Sequence, residues 1–165
     1  MLVEWLSDEI LVNETASFFA ANIDPDPAYI SHSELMWGRA LSADAWTPDL
    51  GSVVEREFRD LAAEIASSNK RVARCLIDGE LVAIALVAFE HDAPIPFAVL
   101  EDIVVAQDRR GEHIGQSLLD WVFGQVREQK IGRIFLESGL NNHVAHHWFE
   151  RNGFHQVSIV MMANV

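Results

Sequence analysis

The chain has 165 residues, half of them hydrophobic, and a formal net charge of −13 at pH 7. This length and composition suit one folded domain, residues 1–165, and give no sign of disorder. The negative charge argues against general binding of nucleic acid or anionic membranes, which need a basic surface; it mildly favours a cationic substrate, although acidity also serves solubility alone.

The first 70 residues are predicted to be mainly helical. The expected elements are a helix at 7–23, a turn at 24–29, a short helix followed by a loop within 31–50, and a helix at 51–69. Ser7 can cap the first helix, and the prolines of the turn end it, because a residue before proline avoids the α conformation. The helix at 51–69 has apolar residues at helical spacing, which are Val54, Phe58, Leu61 and Ile65.

The remaining segments predict three consecutive strands, followed by helix, strand, helix and strand. The elements are two strands on either side of Asp78-Gly79, a third strand at 97–106, a helix at 114–130, a strand at 133–138, a helix at 142–152 and a strand at 153–165. An Asp-Gly pair between two β-rich runs favours a type I′ hairpin turn. This order predicts an α+β or mixed α/β layered fold with a right-handed β-α-β crossover.

Several classes of protein are excluded by the composition. The first ten residues lack the basic region of a signal peptide, and the longest apolar run, 81–89, is too short for a membrane-spanning helix. Cys75 is the only cysteine, so no disulfide can form within the chain. We therefore expect a soluble, cytoplasmic protein.

The segment EDIVVAQDRRGEHIGQSLL, residues 101–119, places a basic, glycine-containing turn between a predicted strand and a predicted helix. The start of a helix exposes N–H groups together with the positive end of the helix dipole, so it is suited to binding phosphate. Arg109 and Arg110 add positive charge, and Gly111 and Gly115 allow positive φ angles or close backbone approach. The sequence matches neither a P-loop nor a dinucleotide-binding motif. An ordinary turn with solvated arginines is the alternative interpretation.

This segment resembles the acetyl-CoA-binding segment of the GNAT N-acetyltransferase superfamily, in which [Q/R]-x-x-G-x-[G/A] begins a helix. Arg110, His113 and Gly115 occupy the three specified positions, and Gly111 matches a glycine that often follows the arginine. The departure is His113, which stands in place of glycine. A second segment, LNNHVAHHWFERNGF at 140–154, is similar to the family's N-x-x-A…[F/Y]-E-[K/R]-x-G-[F/Y] pattern. Its matching residues are Asn142, Ala145, Phe149, Glu150, Arg151, Gly153 and Phe154.

The resemblance covers residues 71–156 and implies a GNAT-type fold, with a mixed, mostly antiparallel central sheet flanked by helices on both faces. Residues 1–70 would form the variable, acceptor-side part. The implied cosubstrate is acetyl-CoA. The residues implied to bind it are Ile103, Val104, Val105, Arg109, Arg110, Gly111, Glu112, His113, Ile114, Gly115, Gln116, Asn142, Ala145 and Phe149. By the same resemblance, an N–H group near Val104 would polarise the thioester oxygen.

The family transfers acetyl groups to primary amines by direct attack, which needs a base to remove the amine's proton. The resemblance places an acid on the strand at 97–106 in that role, either Glu101 or Asp102, and we slightly favour Glu101. Strand alternation predicts that these two side chains point to opposite faces. Where many members have a tyrosine that protonates the leaving thiolate, this chain has Phe149. Water, His146 or the neighbouring His147 could supply that proton, or the protein binds CoA without catalysis.

The remaining motifs carry weaker predictions. His143 and His147 are spaced for one helix face, but residue 144 is not the glutamate of a zincin motif, so we expect no metal. Trp37 and Trp46 could line a substrate pocket, but we expect them to lie in the hydrophobic core. The expected partner is a small-molecule or peptide amine, with no nucleic acid and no membrane, and a homodimer is expected only by analogy with the fold.

Overall fold

The computed structural model describes residues 1–8, 10–63 and 68–165. Its helices are α1 (Ile10–Asn22), α2 (His32–Trp37), α3 (Leu50–Ala63), α4 (Ile114–Glu128) and α5 (His143–Arg151). Its strands are β1 (Leu2–Trp5), β2 (Ala40–Ser42), β3 (Ala45–Trp46), β4 (Lys70–Ile77), β5 (Glu80–Glu90), β6 (Phe97–Val105) and β7 (Ile134–Leu136). Two compact units result: residues 1–23 with 49–137, and residues 24–48 with 138–165.

The first unit contains a five-stranded sheet in the order β1-β4-β5-β6-β7. All neighbouring strands are antiparallel except β6 and β7, which are parallel and are connected through α4. Helices α1 and α3 cover one face, where Phe19 and Phe58 pack with Val72 in a buried cluster. Helix α4 covers the other face. The predicted α+β fold with a mostly antiparallel central sheet is therefore confirmed.

The β4–β5 hairpin turns as the Asp-Gly pair predicts. Asp78 has a φ of 53° and Gly79 a φ of 85°, and both values lie in the left-handed region that a type I′ turn requires. The register Ile77↔Glu80 closes the hairpin directly around this pair. The turn thus fixes the alignment of the two strands at the centre of the sheet.

The helices of the first unit agree with the sequence except at some of their ends: α1 begins at Ile10 and not at residue 7, and residues 68 and 69, which were predicted as the end of the helix at 51–69, are not helical. Val54 and Phe58 of α3 are buried as the stripe predicts, while Ile65 lies outside the described residues. Helix α1 begins at Ile10, whose N–H donates to Asp8 Oδ1 at 2.9 Å. Asp8, and not Ser7, therefore supplies the side-chain oxygen at this end of the helix, since the helix starts later than predicted.

The predicted strand at 153–165 is wrong. Residues 154–165 have no strand conformation, and most of their side chains, such as Ile159 and Met161, are exposed. A β-prone sequence becomes a strand only when a neighbouring strand satisfies its backbone groups, and the register contains no partner for this segment among the described residues. The opposite error concerns β1, which sequence patterning missed because it is only four residues long.

The second unit contains α2, the β2–β3 hairpin and α5. Within it, Gly139 lies against the backbone of residues 28–30. A Cβ atom added to Gly139 would be 2.7 Å from Ile30 O and 2.9 Å from Tyr29 C, and closer still to Ala28 O. Backbone atoms cannot move aside as a flexible side chain can, so this position requires glycine.

Replacing Gly139 by alanine is therefore expected to lower the free energy of unfolding by about 1–3 kcal/mol, as overpacking does. Urea denaturation measures the loss. Gly132→Ala is the matched control, because a Cβ atom there meets nothing within 4 Å. Equal stability of the two variants would contradict the close packing at Gly139.

Within the part of the chain that the structure describes, no helix has the length and apolar character that crossing a membrane requires.

Candidate active site

The turn between β6 and α4 has a conformation suited to binding an anion. After β6 ends at Val105, residues 107–109 form a 3₁₀ helix, and Gly111 and His113 adopt positive φ angles of 87° and 61°. His113 is the N-cap of α4, and the first i to i−4 bond of the helix runs from Ser117 N–H to His113 O at 3.1 Å. The first turn of an α-helix leaves its N–H groups without intrahelical acceptors, which gives an anion its donors.

The two arginines of this turn have different roles. Arg109 forms an ion pair with Glu112, with its Nε and Nη2 atoms each 3.0 Å from Glu112 Oε2. The hydrogen bonds that Arg109 donates to the Glu112 carboxylate raise the pKa of the Arg109 guanidinium above its usual value. Arg110 instead donates from Nη2 to the backbone oxygen of Asn22 at 3.0 Å and from Nε to Val105 O at 3.4 Å. Arg110 therefore fastens the turn to the end of α1, while the charge of Arg109 is partly balanced within the turn.

Asn22 is a positioning residue that sequence reasoning missed. Its Oδ1 accepts the Gln107 N–H at 3.0 Å, its Nδ2 donates to Phe18 O at 2.9 Å, and its backbone oxygen accepts from Arg110. One residue at the end of α1 thus holds both ends of the 107–110 segment. No local signal could reveal this, because the partners lie 85 and 88 residues away in the chain.

A β-bulge in β6 changes the expected directions of the two acids. Asp102 pairs with Leu86, but Leu100 pairs with Val87, so Glu101 is the extra residue. Strand alternation is interrupted at such a bulge. Asp102 pairs with Leu86, whose side chain is in the buried cluster beneath α1 and α3. Glu101 contacts Lys70, which lies two residues before Val72 on β4 and so shares its face, and Val72 belongs to the same cluster. Both acids therefore lie on the α1–α3 face of the sheet.

The expectation that Glu101 and Asp102 point to opposite faces is therefore wrong. Glu101 Oε2 is 2.8 Å from Lys70 Nζ, and the Glu101 side chain is 28% exposed. The bulge thus leaves Glu101 and Asp102 on one side of the sheet, and both stay candidates for the base.

Comparison with known proteins identifies the family to which this chain belongs. The model of the Acetyltransferase (GNAT) family matches residues 39–154. The chain belongs to the GNAT acetyltransferase family. Comparison with curated protein sequences gives no match.

Solved structures of similar fold include several acetyltransferases. One is a ribosomal-protein-alanine N-acetyltransferase from Brucella melitensis biovar Abortus 2308, with 14% identity, a TM-score of 0.66 and full coverage of both chains. Another is a putative acetyl transferase from Pyrococcus furiosus, with 16% identity, a TM-score of 0.68, and 99% of this chain and 100% of that chain covered. A third is an aminoglycoside N-acetyltransferase in complex with CoA, with 12% identity, a TM-score of 0.69, and 99% and 93% covered. At these identities the likeness concerns the fold alone.

The GNAT pattern gains a physical explanation at His113. The family has glycine at this position, and the backbone here is left-handed even though the residue is histidine. A non-glycine residue in this conformation costs about 1–2 kcal/mol. The His113 side chain is exposed, so its ring is not buried within the turn. Gly115 is not among the glycines with a positive φ angle. The family pattern therefore points to the other use of glycine at this position, which is close approach of the backbone to a ligand.

In the second unit, α5 carries the residues of the second GNAT segment. Asn142 is buried and its Oδ1 accepts the Ala145 N–H at 3.2 Å, so it caps α5. His146 is half-buried and its ring lies edge-on to that of His143, with ring centres 5.9 Å apart. Phe149 packs edge-on against Trp148 and Phe154. The helix thus presents an imidazole one turn from a ring that has no proton to donate.

Metal binding has no support in the described residues. Within 1–8, 10–63 and 68–165, no group of three or more histidine, cysteine, aspartate or glutamate side chains is arranged to hold an ion.

Proposed function

We propose that this protein transfers an acetyl group from acetyl-CoA to a primary amine of a small molecule or peptide, by direct attack of the amine. The observation that carries the proposal is the turn before α4, where the left-handed Gly111 and His113 precede the helix start. Such a helix start, with its unpaired N–H groups and positive dipole end, suits the diphosphate of CoA. Membership of the GNAT family supports the same cosubstrate.

Each predicted residue has a proposed task in this reaction. The bound cosubstrate supplies an activated acetyl group. Residues 103–105 of β6 offer backbone groups to the pantetheine arm, and Arg109 to Gln116 bind the phosphates. The family resemblance alone assigns Asn142, Ala145 and Phe149 to the cofactor as well, and this assignment stays a prediction.

Glu101 is the proposed general base, with Asp102 as the alternative. An amine of the lysine type is mostly protonated at neutral pH, so its proton must leave before it can attack. A carboxylate that is partly exposed can accept that proton directly or through a water molecule. Glu101 already has a cationic amine at hydrogen-bond distance, that of Lys70.

The leaving thiolate needs little help. A thiol has a pKa of about 8.5, so water can protonate the thiolate without an acid from the protein. His146 is the proposed side-chain source of that proton where one is used, and His147 is its exposed neighbour.

A second candidate is a CoA-binding regulatory domain without catalysis. The observation that favours it is Phe149, which has no hydroxyl group at the position where many family members have tyrosine. Thermal shift with acetyl-CoA tests the binding that both candidates share, because a ligand of the folded state raises the apparent stability. Release of free thiol with a panel of amines, including polyamines and aminoglycosides, tests transfer. Binding without thiol release would favour the regulatory domain.

Cys75 is not expected to disturb that thiol measurement. Its side chain is fully buried in β4, and burial raises the pKa of the thiol above its usual value. A raised pKa means that less reactive thiolate is present at any given pH than for an ordinary cysteine. The folded protein should therefore react slowly with a thiol reagent up to about pH 8.5, and one thiol per chain should appear after denaturation. Rapid reaction of the folded protein would contradict this expectation.

A further inference from the structure

Lysine is scarce in this chain, and one of its two lysines contacts the proposed base. Of the 12 basic residues, ten are arginine, and the lysines are Lys70 and Lys130. The distinction matters chemically, because arginine stays protonated at physiological pH whereas a lysine amine can lose its proton and act as a nucleophile. An ion pair with Glu101 could have been made by arginine, so the choice of lysine invites a chemical explanation.

The geometry brings the amine of Lys70 to the proposed catalytic carboxylate. Lys70 Nζ is 2.8 Å from Glu101 Oε2, and the side chains are 41% and 28% exposed. Any acceptor amine must come within hydrogen-bond reach of the base, directly or through one water molecule. Lys70 already satisfies that requirement before an external acceptor has bound.

The backbone of Lys70 is held in place, so this contact is not made by a loose chain end. Lys70 is the first residue of β4 and pairs with Ala88 of β5. Its N–H donates to Ser68 Oγ at 3.1 Å, and the preceding Asn69 accepts the Phe89 N–H at 2.9 Å. The side chain therefore extends from a fixed point across β5 toward Glu101 on β6.

We propose that Lys70 is a self-acetylation site, an inference that rests on the proposed acetyl transfer. Glu101 accepts the ammonium proton of Lys70, and the neutral Nζ attacks the acetyl carbon of the thioester. The N–C bond forms as the C–S bond breaks, CoA leaves as a thiolate, and the second proton of the amine nitrogen passes through water to that thiolate. The products are an acetylated Lys70 and free CoA.

The resulting amide changes the charge beside Glu101. Acetylation removes the positive charge of Lys70, so the ion pair with Glu101 is lost. The Glu101 carboxylate then no longer has the Lys70 ammonium as its cationic partner. Self-acetylation would therefore occur when no acceptor competes for the base, and it would leave the base open to an external cationic amine.

The test follows acetylation of each lysine by peptide mass spectrometry after the full-length protein is incubated with acetyl-CoA and no acceptor. Lys130 is the internal control, since it is exposed and lies just after α4. We expect Lys70 to be acetylated at least about tenfold faster than Lys130, because a positioned base and a nearby amine accelerate the step. The Glu101→Gln variant should reduce that ratio to about one, and Lys70→Arg should abolish the modification at this position.

A chemical reagent separates enzyme-driven acetylation from ordinary lysine reactivity. With acetic anhydride and no acetyl-CoA, the ion-paired and partly covered Lys70 should react more slowly than Lys130, and Glu101→Gln should make it faster. Lys70 should therefore be the faster-acetylated lysine with acetyl-CoA and the slower one with acetic anhydride. A Lys70 that is the faster lysine with both reagents would be merely a reactive surface amine, and the proposal would be overturned.

Further outcomes keep this proposal separate from the proposed function. A rate per molecule that is independent of protein concentration supports self-acetylation, whereas a rate that rises with concentration means transfer between copies and refutes it. Thiol release with external amines, combined with equal labelling of Lys70 and Lys130, would leave the acetyltransferase intact and reject Lys70. Absence of both acetyl-CoA binding and thiol release would reject the two proposals together.

Discussion

Glu101→Gln is expected to lower kcat by about two to four orders of magnitude, the usual contribution of a general base. Glutamine keeps the shape of the side chain but cannot accept the proton of the amine. Affinity for acetyl-CoA, measured by thermal shift, should change little, because Glu101 lies on β6 before the turn at 106–113.

Two matched variants make this result specific to Glu101. Glu90→Gln removes a carboxylate of the same sheet whose hydrogen-bond partner is Asn69, and it should leave kcat within about twofold. Asp102→Asn tests the neighbouring acid, which the bulge places on the same side as Glu101. If Asp102→Asn caused the large loss and Glu101→Gln did not, Asp102 would be the base and Glu101 would not.

Arg110→Glu is expected to weaken acetyl-CoA binding by roughly a hundredfold or more. The substitution removes a cation from the proposed phosphate site and adds an anion, and charge-assisted hydrogen bonds contribute about 1.5–3 kcal/mol each. It also places a carboxylate where Arg110 now donates to the backbone oxygens of Asn22 and Val105. Both effects act on the same turn, and isothermal titration with acetyl-CoA measures their sum.

Arg133→Glu is the control for the change in net charge, because Arg133 is exposed and lies outside the turn. The melting temperature of the Arg110→Glu protein without ligand shows how far the turn is loosened, apart from the loss of a phosphate contact. Asn22→Ala should loosen the turn in the same way but keep the Arg110 cation. Equal affinities of the Arg110→Glu and Arg133→Glu proteins would reject the proposed phosphate site.

Local signals in the sequence were sufficient for most of the elements near the proposed cofactor site. The Asp78-Gly79 pair specified a hairpin because both of its residues tolerate positive φ angles. The apolar stripe that includes Leu118 and Val122 specified a helix because its spacing matches the helical period, and both residues are buried. The glycine-containing turn was recognisable because glycine and the helix start act over a few residues.

Features that depend on distant partners were not recoverable from the sequence. The strand predicted at 153–165 fails because β propensity does not create a neighbour to pair with. The bulge that turns Glu101 and Asp102 to one side arises from the register between β5 and β6. Asn22 and Arg110 meet across 88 residues, and no pattern near either of them announces the contact.

By itself the sequence determined the family, the order of the helices and the central strands, and the turn that precedes α4, because these follow from short-range geometry and residue spacing. The tertiary structure alone decided which groups that turn is tied to and which amine lies beside Glu101. Those contacts depend on how strands far apart in the chain align, and the free energy of that alignment comes from packing that no local segment contains.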